Sequence, residues 1–296
     1  MQKTLIIGSC TVDIVIPTPH LPQSTEDINS GEHRFSLGGC AYNVSQIFQL
    51  LDLAYLHGVT IGSGIYGDYV RKELTRRNLP IFRSSEQQHG ACLCLVEENG
   101  ERSFIAYHGI EYKFDRSWFK DVDLSDFNQV FLCGLELEED TGPEIIAFLE
   151  EHSFANIYFA PGPRLCTIES SLLQRLLALK PIIHLNQQEI GDYTGIADPY
   201  QAAQELYKKN HNDVIVTLGK DGSLVYDGQD FLFAEGLKVT VKDTIGAGDC
   251  HLGTYMAYRQ LGLSKQEALK KANSFAAAVV AQTGPSLSKE TIKALL

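Results

Sequence analysis

The chain has 296 residues, of which 44% are hydrophobic and 21% charged, and its formal net charge is −12. This composition predicts a globular protein with one large domain, or a large domain with a small appendage. The acidic charge argues against nucleic acid and anionic membranes as partners, and no apolar run reaches the roughly 18 residues of a membrane helix. Seven cysteines, an odd number without a CxxC pair, indicate reduced thiols in a cytoplasmic protein.

Apolar segments and helical patterns alternate along the first third of the chain. The predicted elements are a strand at 4–8, a strand at 12–16, a polar loop at 17–31, a helix at 41–51, a strand at 54–62, a helix at 68–78 and a two-stranded hairpin at 91–109. The hairpin contains Glu98-Asn99-Gly100, and Asn-Gly is a strong signal for a tight turn between two strands.

The same alternation continues to the carboxyl end. The predicted elements are a strand at 130–134, a helix near 141–152, a strand at 156–160, a helix near 169–178, a strand at 181–185, short helices up to Asn210, a strand at 213–219, a hairpin at 223–234 turning at Asp227-Gly228, and two final helices near 247–262 and 265–282. This alternation predicts a parallel, doubly wound sheet covered by helices. The strand at 12–16 and the hairpin at 91–109 are predicted to form a small antiparallel sheet outside it.

The segment KDTIGAGDCHLG (242–253) places small residues where a helix is predicted to begin. Backbone N–H groups of Gly246, Ala247 and Gly248 can bind an anion such as a phosphate there, helped by the helix dipole. Asp249 can take a proton from an alcohol that attacks that phosphate. An aspartate that only caps the helix is the alternative interpretation.

Several motifs together resemble those of the ribokinase, or phosphofructokinase-B, family of carbohydrate kinases. DTIGAGD (243–249) matches that family's C-terminal signature, and LGGCAYN (37–43) resembles its N-terminal Gly-Gly motif. The resemblance extends over nearly the whole chain and implies a three-layer α/β sandwich with a mostly parallel central sheet. It assigns 1–10, 37–90 and 110–296 to a large nucleotide-binding catalytic domain. It assigns 11–36 and 91–109 to a β-sheet lid over the sugar.

The resemblance also implies roles for residues around the reacting groups. Asp249 is the expected catalytic base, and Gly246, Ala247 and Gly248 are expected to hold the transferring phosphoryl group. The residues expected to bind the acceptor are Asp13, Gly38, Gly39 and Asn43. Lid side chains that alternate along their strands are expected to face the sugar as well: Cys92, Cys94, Phe104 and Ala106.

ATP, Mg²⁺ and K⁺ are the cofactors that the resemblance implies. The residues expected at the nucleotide are Asn186, Thr217, Gly219, Lys220, Gly222 and Asn273. Glu189, in the Asn-x-x-Glu motif, is expected to order Mg²⁺ through water, and its carboxylate is a hard oxygen donor. The residues expected to surround potassium are Asp243, Ile245, Val280, Thr283, Gly284 and Ser288.

The hypothesis is therefore an ATP- and Mg²⁺-dependent kinase acting on a hydroxymethyl group of a small sugar or nucleoside. A ribose-like acceptor is favoured, because no cluster of Arg and Lys stands near the acceptor motifs. A sugar acid or a fructose-type sugar is the alternative. Arg164 can contact such an acid, but pairing with a surface carboxylate is the favoured interpretation. A homodimer through the lid is also expected.

Two functions of other classes compete with the kinase hypothesis. GSGIYG (62–67) is formally a G-x-G-x-x-G, with Glu86 about twenty residues on, and this favours an NAD-dependent oxidoreductase. Asp68 would oppose a pyrophosphate there, and the hairpin at 91–109 is expected to interrupt the βαβ unit. A non-catalytic sugar-binding protein is the other alternative, although it would not need Asp249.

Overall fold

The computed structural model describes residues 2–98 and 101–295. Within those residues the strands are β1 (Lys3–Ile7), β2 (Thr11–Thr18), β3 (Arg34–Gly38), β4 (Tyr55–Gly58), β5 (Thr60–Ser63), β6 (Arg83–Gln88), β7 (Ala91–Glu97), β8 (Arg102–Tyr107), β9 (Phe127–Cys133), β10 (Asn156–Ala160), β11 (Ile182–Asn186), β12 (Val214–Thr217), β13 (Gly222–Tyr226) and β14 (Phe231–Glu235).

Helices cover both faces of the largest sheet, and one helix, Gly64–Arg76, packs against strands of the smaller sheets instead. The helices are α1 (Cys40–Leu50), α2 (Gly64–Arg76), α3 (Gly134–Glu138), α4 (Gly142–Glu151), α5 (Ser170–Ala178), α6 (Gln187–Thr194), α7 (Pro199–Asn210), α8 (Ala247–Gln260), α9 (Lys265–Val280) and α10 (Lys289–Leu295). No helix in the described part of the chain is long and apolar enough to cross a membrane.

The main sheet has the strand order β14-β13-β12-β11-β10-β9-β1-β4. Neighbouring strands pair in parallel through the series β4, β1, β9, β10, β11 and β12. The sheet then continues with β13 and β14, which pair antiparallel. Alternate residues of β1 enter different cores: Leu5 and Ile7 pack with side chains of α4, α5 and α7, whereas Ile6 packs with α1, α8 and α9. The predicted three-layer sandwich with a mostly parallel central sheet is confirmed.

A second, four-stranded sheet has the order β3-β2-β7-β8. It contains the predicted strand at 12–16 and the predicted hairpin at 91–109, but it is not wholly antiparallel. β2 and β7 run parallel, with Asp13 opposite Cys92, because a long excursion through α1 and α2 separates them. β3 was not predicted, because its alternating sequence, RFSLG, is only five residues long and follows a polar loop. The predicted turn at Asn99-Gly100 lies outside the described residues.

The predicted strand at 54–62 is wrong as a single element. The Val59 N–H donates to the His57 carbonyl at 2.9 Å, and this tight turn separates β4 from β5. β4 joins the main sheet, whereas β5 pairs in parallel with β6 in a separate two-stranded sheet. β6 was missed because its sequence, RSSEQQ, is polar throughout.

The C-terminal elements largely follow the prediction. The hairpin at 223–234 is confirmed as β13 and β14, and the Asp227 carboxylate accepts N–H groups of its turn. Ser264 and Glu267 form the predicted capping box of α9. Two final helices were predicted, but the structure has a third, α10, whose seven residues are too few to show a clear period.

Candidate active site

The segment 243–250 leads from an irregular turn into α8. Gly246 is the N-cap residue of α8 and has φ of +72°, and a Cβ there would lie 2.5 Å from the Pro285 side chain. Glycine is therefore required at this position. The first intrahelical hydrogen bond runs from the Cys250 N–H to the Gly246 carbonyl, at 2.8 Å. The amide groups of Gly248 and Asp249 precede that bond and are available to an anion.

Asp249 lies in the first turn of α8 and is half-buried. Its Oδ2 accepts a hydrogen bond from Asn43 Nδ2 at 2.8 Å. Burial raises the pKa of Asp249, and hydrogen bonds from Asn43 and Cys40 oppose that rise. A carboxylate with increased proton affinity, held in one orientation by an amide, is suited to accept a proton from an alcohol.

Asp13 and the two glycines of LGGCAYN form a close-packed group. A Cβ on Gly38 would lie 2.0 Å from Asp13 Oδ2, and a Cβ on Gly39, which has φ of +98°, would lie 2.6 Å from the Ser9 carbonyl oxygen. Burial raises the pKa of Asp13 to about 6; a bond from Thr11 opposes this and the charge of Asp249 adds to it. The sequence places a glycine at 38 because the Asp13 carboxylate occupies the space of a side chain.

Asn43 connects this group to Asp249. Its Nδ2 donates to Asp249, while its Oδ1 is buried without a hydrogen-bond partner among the described residues. A buried acceptor atom without a donor is costly unless a ligand supplies one. The four residues predicted to bind the acceptor are thus close to the predicted base, and one of their oxygens is free to receive a hydroxyl.

A cavity of about 640 Å³ lies at the other side of the α8 N-terminus. Seven of the residues predicted to contact nucleotide or phosphate line it: Thr217, Gly219, Lys220, Gly222, Asn273, Ala247 and Gly248. The Asn273 amide donates to the carbonyls of Ala234 and Glu235, at 2.9 and 3.0 Å. Asn273 therefore joins α9 to β14 and shapes the cavity wall.

His251 also lines this cavity, and sequence reasoning did not single it out. Its Nε2 lies 3.1 Å from both Ser223 Oγ and Asn273 Oδ1, and its Nδ1 lies 3.1 Å from His184 Nε2. Burial lowers the pKa of His251 to about 4, so the ring is neutral at pH 7. Its position on α8, two residues after Asp249, carries no sequence signal for this network.

Asn186 and Glu189 begin α6 as a reciprocal capping box. Asn186 Oδ1 accepts the Glu189 N–H at 2.8 Å, and Glu189 Oε2 accepts the Asn186 N–H at 2.9 Å. Burial raises the pKa of Glu189; the Asn186 N–H opposes the rise and the charge of Asp249 adds to it. Asn186 is outside the residues that line the cavity, so its contribution is to fix Glu189.

The second oxygen of Glu189 is available to a metal-bound water, and its chemistry suits Mg²⁺. The described residues contain no group of three or more His, Cys, Asp and Glu side chains that could hold a metal ion by themselves. Glu189 and Asp249 are near enough for the charge of Asp249 to affect the pKa of Glu189. The donor set therefore fits a magnesium ion that is bound mainly by phosphates and water.

Asp243, predicted at a cation site, is buried and already has several partners. Its Oδ1 accepts the Ile245 N–H at 2.9 Å, and its Oδ2 accepts the Gly284 N–H at 3.0 Å. Arg102 of β8 forms an ion pair with Oδ1 at 2.9 Å. Arg102 was not singled out from the sequence, although strand alternation places it on the same sheet face as Phe104 and Ala106.

Two secondary sequence interpretations can be compared with the contacts. Arg164 pairs with Glu138 at 3.0 Å, which confirms the favoured interpretation of a surface ion pair. In GSGIYG, a Cβ on Gly67 would lie 1.9 Å from the Gly62 carbonyl, so these glycines allow α2 to pack against β5. The expected interruption of the βαβ unit is wrong, because β6 follows α2 and contains Glu86. The unit nevertheless stands apart from the main sheet.

The chain is similar to known carbohydrate kinases over its full length. It is 27% identical to "Uncharacterized sugar kinase YegV" of Escherichia coli (strain K12), covering 96% of this chain and 90% of the relative. It is 25% identical to a deoxyribokinase of Salmonella typhi, covering 97% and 95%. The fold matches a ribokinase of Cryptococcus neoformans solved in complex with ADP, with a TM-score of 0.82, 20% identity, and 100% of each chain covered.

A family model described as pfkB family carbohydrate kinase matches residues 1–292. This match excludes the oxidoreductase interpretation of GSGIYG. A non-catalytic protein with a degenerate kinase fold would not need Asp249 and Glu189, and the chain has both. The chain belongs to the pfkB family of carbohydrate kinases.

Proposed function

We propose that this kinase transfers the γ-phosphoryl group of ATP to a hydroxymethyl group of a ribose-like sugar or a nucleoside. One observation carries the proposal: the N-terminus of α8 borders two different environments. Ala247 and Gly248 line the large cavity, while Asp249 is hydrogen-bonded to Asn43 on the side of Asp13 and Gly38. Asp249 therefore lies between the cavity for the nucleotide and the residues that bind the acceptor. In-line transfer of a phosphoryl group requires a base in this position.

The acceptor hydroxyl gives its proton to Asp249 as it attacks. The raised pKa of Asp249 supports this role, because a more basic carboxylate holds the proton better once it has arrived. The amide groups of Gly248 and Asp249 donate hydrogen bonds toward the charge that develops on the phosphoryl oxygens. Gly246 turns the chain into the helix and thereby fixes the direction of those amides.

Asp13 and Asn43 orient the acceptor in this mechanism. The Asp13 carboxylate accepts from one or two sugar hydroxyls, and the free Asn43 Oδ1 accepts from another. The register of the small sheet supports a lid function: Asp13 lies opposite Cys92, Cys92 lies opposite Ala106, and Cys94 lies opposite Phe104. Their side chains share the sheet face of Asp13 and exclude water from the reacting groups.

The donor side takes ATP with magnesium, which neutralises the charge of the phosphates. The glycines at 219 and 222 have φ of +59° and +116°, and they bring a loop without bulky side chains to the cavity. Lys220, on the same loop, is placed to contact a phosphate. Glu189, fixed by Asn186, would hold the magnesium ion through its bound water.

An acidic acceptor is the second candidate, and one observation favours it. The ribose-like preference depended on the absence of a basic cluster, but the structure brings Arg34, Arg102 and Lys242 to a cavity of about 420 Å³ beside Val15 of β2. Val15 is two residues from Asp13 and on the same sheet face. Glu32 and Asp243 also line this cavity, and Arg102 is paired with Asp243. A sugar acid, or a fructose-type sugar that carries an anionic group, would therefore be held by Arg34 and Lys242.

A screen of ATP consumption across sugars, nucleosides, sugar acids and phosphorylated sugars tests both candidates. We expect acceptor-dependent ADP release with a ribose-like sugar or a nucleoside, and a rate lower by about 10²- to 10⁴-fold with Asp249→Asn under the same conditions. Exclusive use of acidic acceptors would support the second candidate. Acceptor-dependent ADP release by Asp249→Asn at a rate close to that of the wild type would refute the assignment of the base.

We also infer a homodimer formed through the small sheet. β8 is an edge strand, and Ile105 and Tyr107, on the face opposite Asp13, are 60% and 54% exposed. A second copy can pair with this edge and cover both side chains. Light scattering should give the mass of a dimer for the wild type and the mass of a monomer for Ile105→Lys. A monomeric wild type would contradict the inference.

The cytoplasm remains the expected location. Each of the seven cysteines, all within the described residues, is a free thiol, as is typical of a reducing compartment.

A further inference from the structure

An ion pair joins the small sheet to the loop that precedes α8. Arg102 of β8 places Nη1 at 2.9 Å from Asp243 Oδ1, and the two side chains are only 18% and 4% exposed. Asp243 opens the segment that ends at Asp249. A charged group of the small sheet therefore contacts the loop whose amides are proposed to hold the transferring phosphoryl group.

The Asp243 carboxylate organises that loop through backbone hydrogen bonds. It accepts the N–H groups of Ile245 and Gly284, one on each oxygen. Burial would raise the pKa of Asp243, but these two bonds and the Arg102 guanidinium outweigh it and lower the pKa. The side chain is thus a carboxylate at pH 7. Its negative charge must be balanced, because an unpaired buried charge is strongly destabilising.

The resemblance assigns this balancing charge to a monovalent cation, but four of the six residues expected to bind it already use those oxygens as hydrogen-bond acceptors. The Val280 carbonyl accepts two backbone N–H groups, from Lys242 at 2.7 Å and Asp243 at 3.3 Å. Ser288 Oγ accepts the Thr291 N–H at the start of α10, and the Gly284 carbonyl accepts from Gln282 Nε2 at 3.4 Å. These residues, as arranged here, do not fit a potassium ion.

The Arg102 guanidinium lies directly against the carboxylate, and one other acid, Glu32, lines the cavity beside it. Arg102, Arg34 and Lys242 line one cavity with Asp243, so a metal cation next to Asp243 would be repelled by the guanidinium that contacts it. The same cavity, of about 420 Å³, would admit a hydrated cation if the guanidinium were removed.

We propose that Arg102 is a positioning residue that replaces the monovalent cation of this loop and makes the kinase independent of potassium. The guanidinium holds the Asp243 carboxylate, the carboxylate holds the Ile245 and Gly284 amides, and these fix the entry into α8. Arg102 belongs to the small sheet, so the loop that precedes α8 is fully ordered only when that sheet packs against it. The proposal rests on the proposed phosphoryl transfer.

Two variants and a matched control test this role. Arg102→Gln removes the charge but keeps most of the side chain, and Arg102→Lys keeps the charge. Arg175→Gln is the control, because it removes a guanidinium from an exposed ion pair with Glu150 that lies outside both cavities. Initial rates of ADP release are measured in potassium and in tetramethylammonium buffers of equal ionic strength, with the acceptor found by the screen.

We expect wild type, Arg102→Lys and Arg175→Gln each to keep its kcat within about twofold between the two buffers. Arg102→Gln should lose about tenfold or more in kcat in tetramethylammonium, because the loop amides lose their alignment, and potassium should restore part of the rate. A wild-type kcat that rises severalfold with potassium would overturn the proposal. So would an Arg102→Gln variant whose rate is normal or does not respond to potassium.

A melting curve gives a second readout that needs no acceptor. Potassium should raise the melting temperature of Arg102→Gln and leave that of the wild type unchanged, since only the variant has an unbalanced carboxylate. A potassium-dependent rise in the wild type would overturn the proposal. If no acceptor is phosphorylated in either buffer, the proposed function fails, and the melting curves still decide the role of Arg102.

Discussion

Replacing Gly38 by alanine tests how the acceptor group is built. The added Cβ would lie 2.0 Å from Asp13 Oδ2 and 2.4 Å from its Cγ, far inside the ordinary contact distance of about 3.5 Å. The Asp13 carboxylate therefore has to move by roughly 1 Å or more. Gly38 itself ends β3 in ordinary strand pairing, so the sheet need not unfold.

The expected effect follows from the hydrogen bonds that Asp13 makes to the acceptor. One bond to a charged group contributes about 1.5–3 kcal/mol, so losing it lowers kcat/KM for the acceptor by about 10- to 150-fold. The KM for ATP should stay within about twofold, because the donor cavity is lined by other residues. Initial rates with each substrate varied in turn separate the two effects.

Gly31→Ala is the matched control, since a Cβ at this exposed glycine would have no neighbour within 4 Å. It should behave as the wild type in both titrations. Near-ultraviolet circular dichroism checks that Gly38→Ala is folded. A folded Gly38→Ala variant with an unchanged acceptor kcat/KM would show that the Asp13 carboxylate does not bind the acceptor.

Three further predictions concern the pH dependence of acceptor use, the magnesium dependence of the rate, and the anchoring of the small sheet by Glu111. Because the pKa of Asp13 is raised to about 6, its carboxylate becomes protonated as the pH falls through that value. The kcat/KM for the acceptor should therefore decrease below about pH 6, and a constant kcat/KM down to about pH 5 would contradict this. Glu189→Gln can still cap α6, so its melting temperature should hold while the magnesium concentration for half-maximal rate rises about 10- to 100-fold; an unchanged magnesium dependence argues against the role of Glu189. The buried Glu111 carboxylate accepts the N–H groups of the two glycines at 90 and 109, which flank β7 and β8. Glu111→Ala should therefore lower the free energy of unfolding, measured by urea titration, by about 2–5 kcal/mol. A decrease of less than about 0.5 kcal/mol would refute the anchoring role.

Much of the main sheet could be predicted because its signals are local. An uninterrupted apolar run such as TLIIG can only be buried on both faces, and a helical period follows nearly every such run. The site segment was equally readable. Gly246 needs a left-handed φ at a helix start, and both requirements appear within a few residues of Asp249.

The features that could not be predicted depend on contacts between residues distant in sequence, or are short or polar strands. The sequence of β6 is polar because both of its faces are largely exposed, and the alternation in β3 spans only five residues, so its pairing with β2 is the stronger signal. The parallel pairing of β2 with β7 depends on how the chain returns after α2, which no local pattern records. The basic cavity was missed for the same reason, since Arg34, Arg102 and Lys242 are separated by tens of residues.

The central claim is that Asp249 is the base of phosphoryl transfer, and the kinetics of Asp249→Asn test it most directly. The asparagine is isosteric and its amide oxygen can still accept from Asn43 Nδ2, so the site should keep its shape. With the acceptor identified, kcat should fall by about 10²- to 10⁴-fold while KM for the acceptor and for ATP changes less than about threefold. A variant that keeps kcat within about twofold of the wild type would contradict the account.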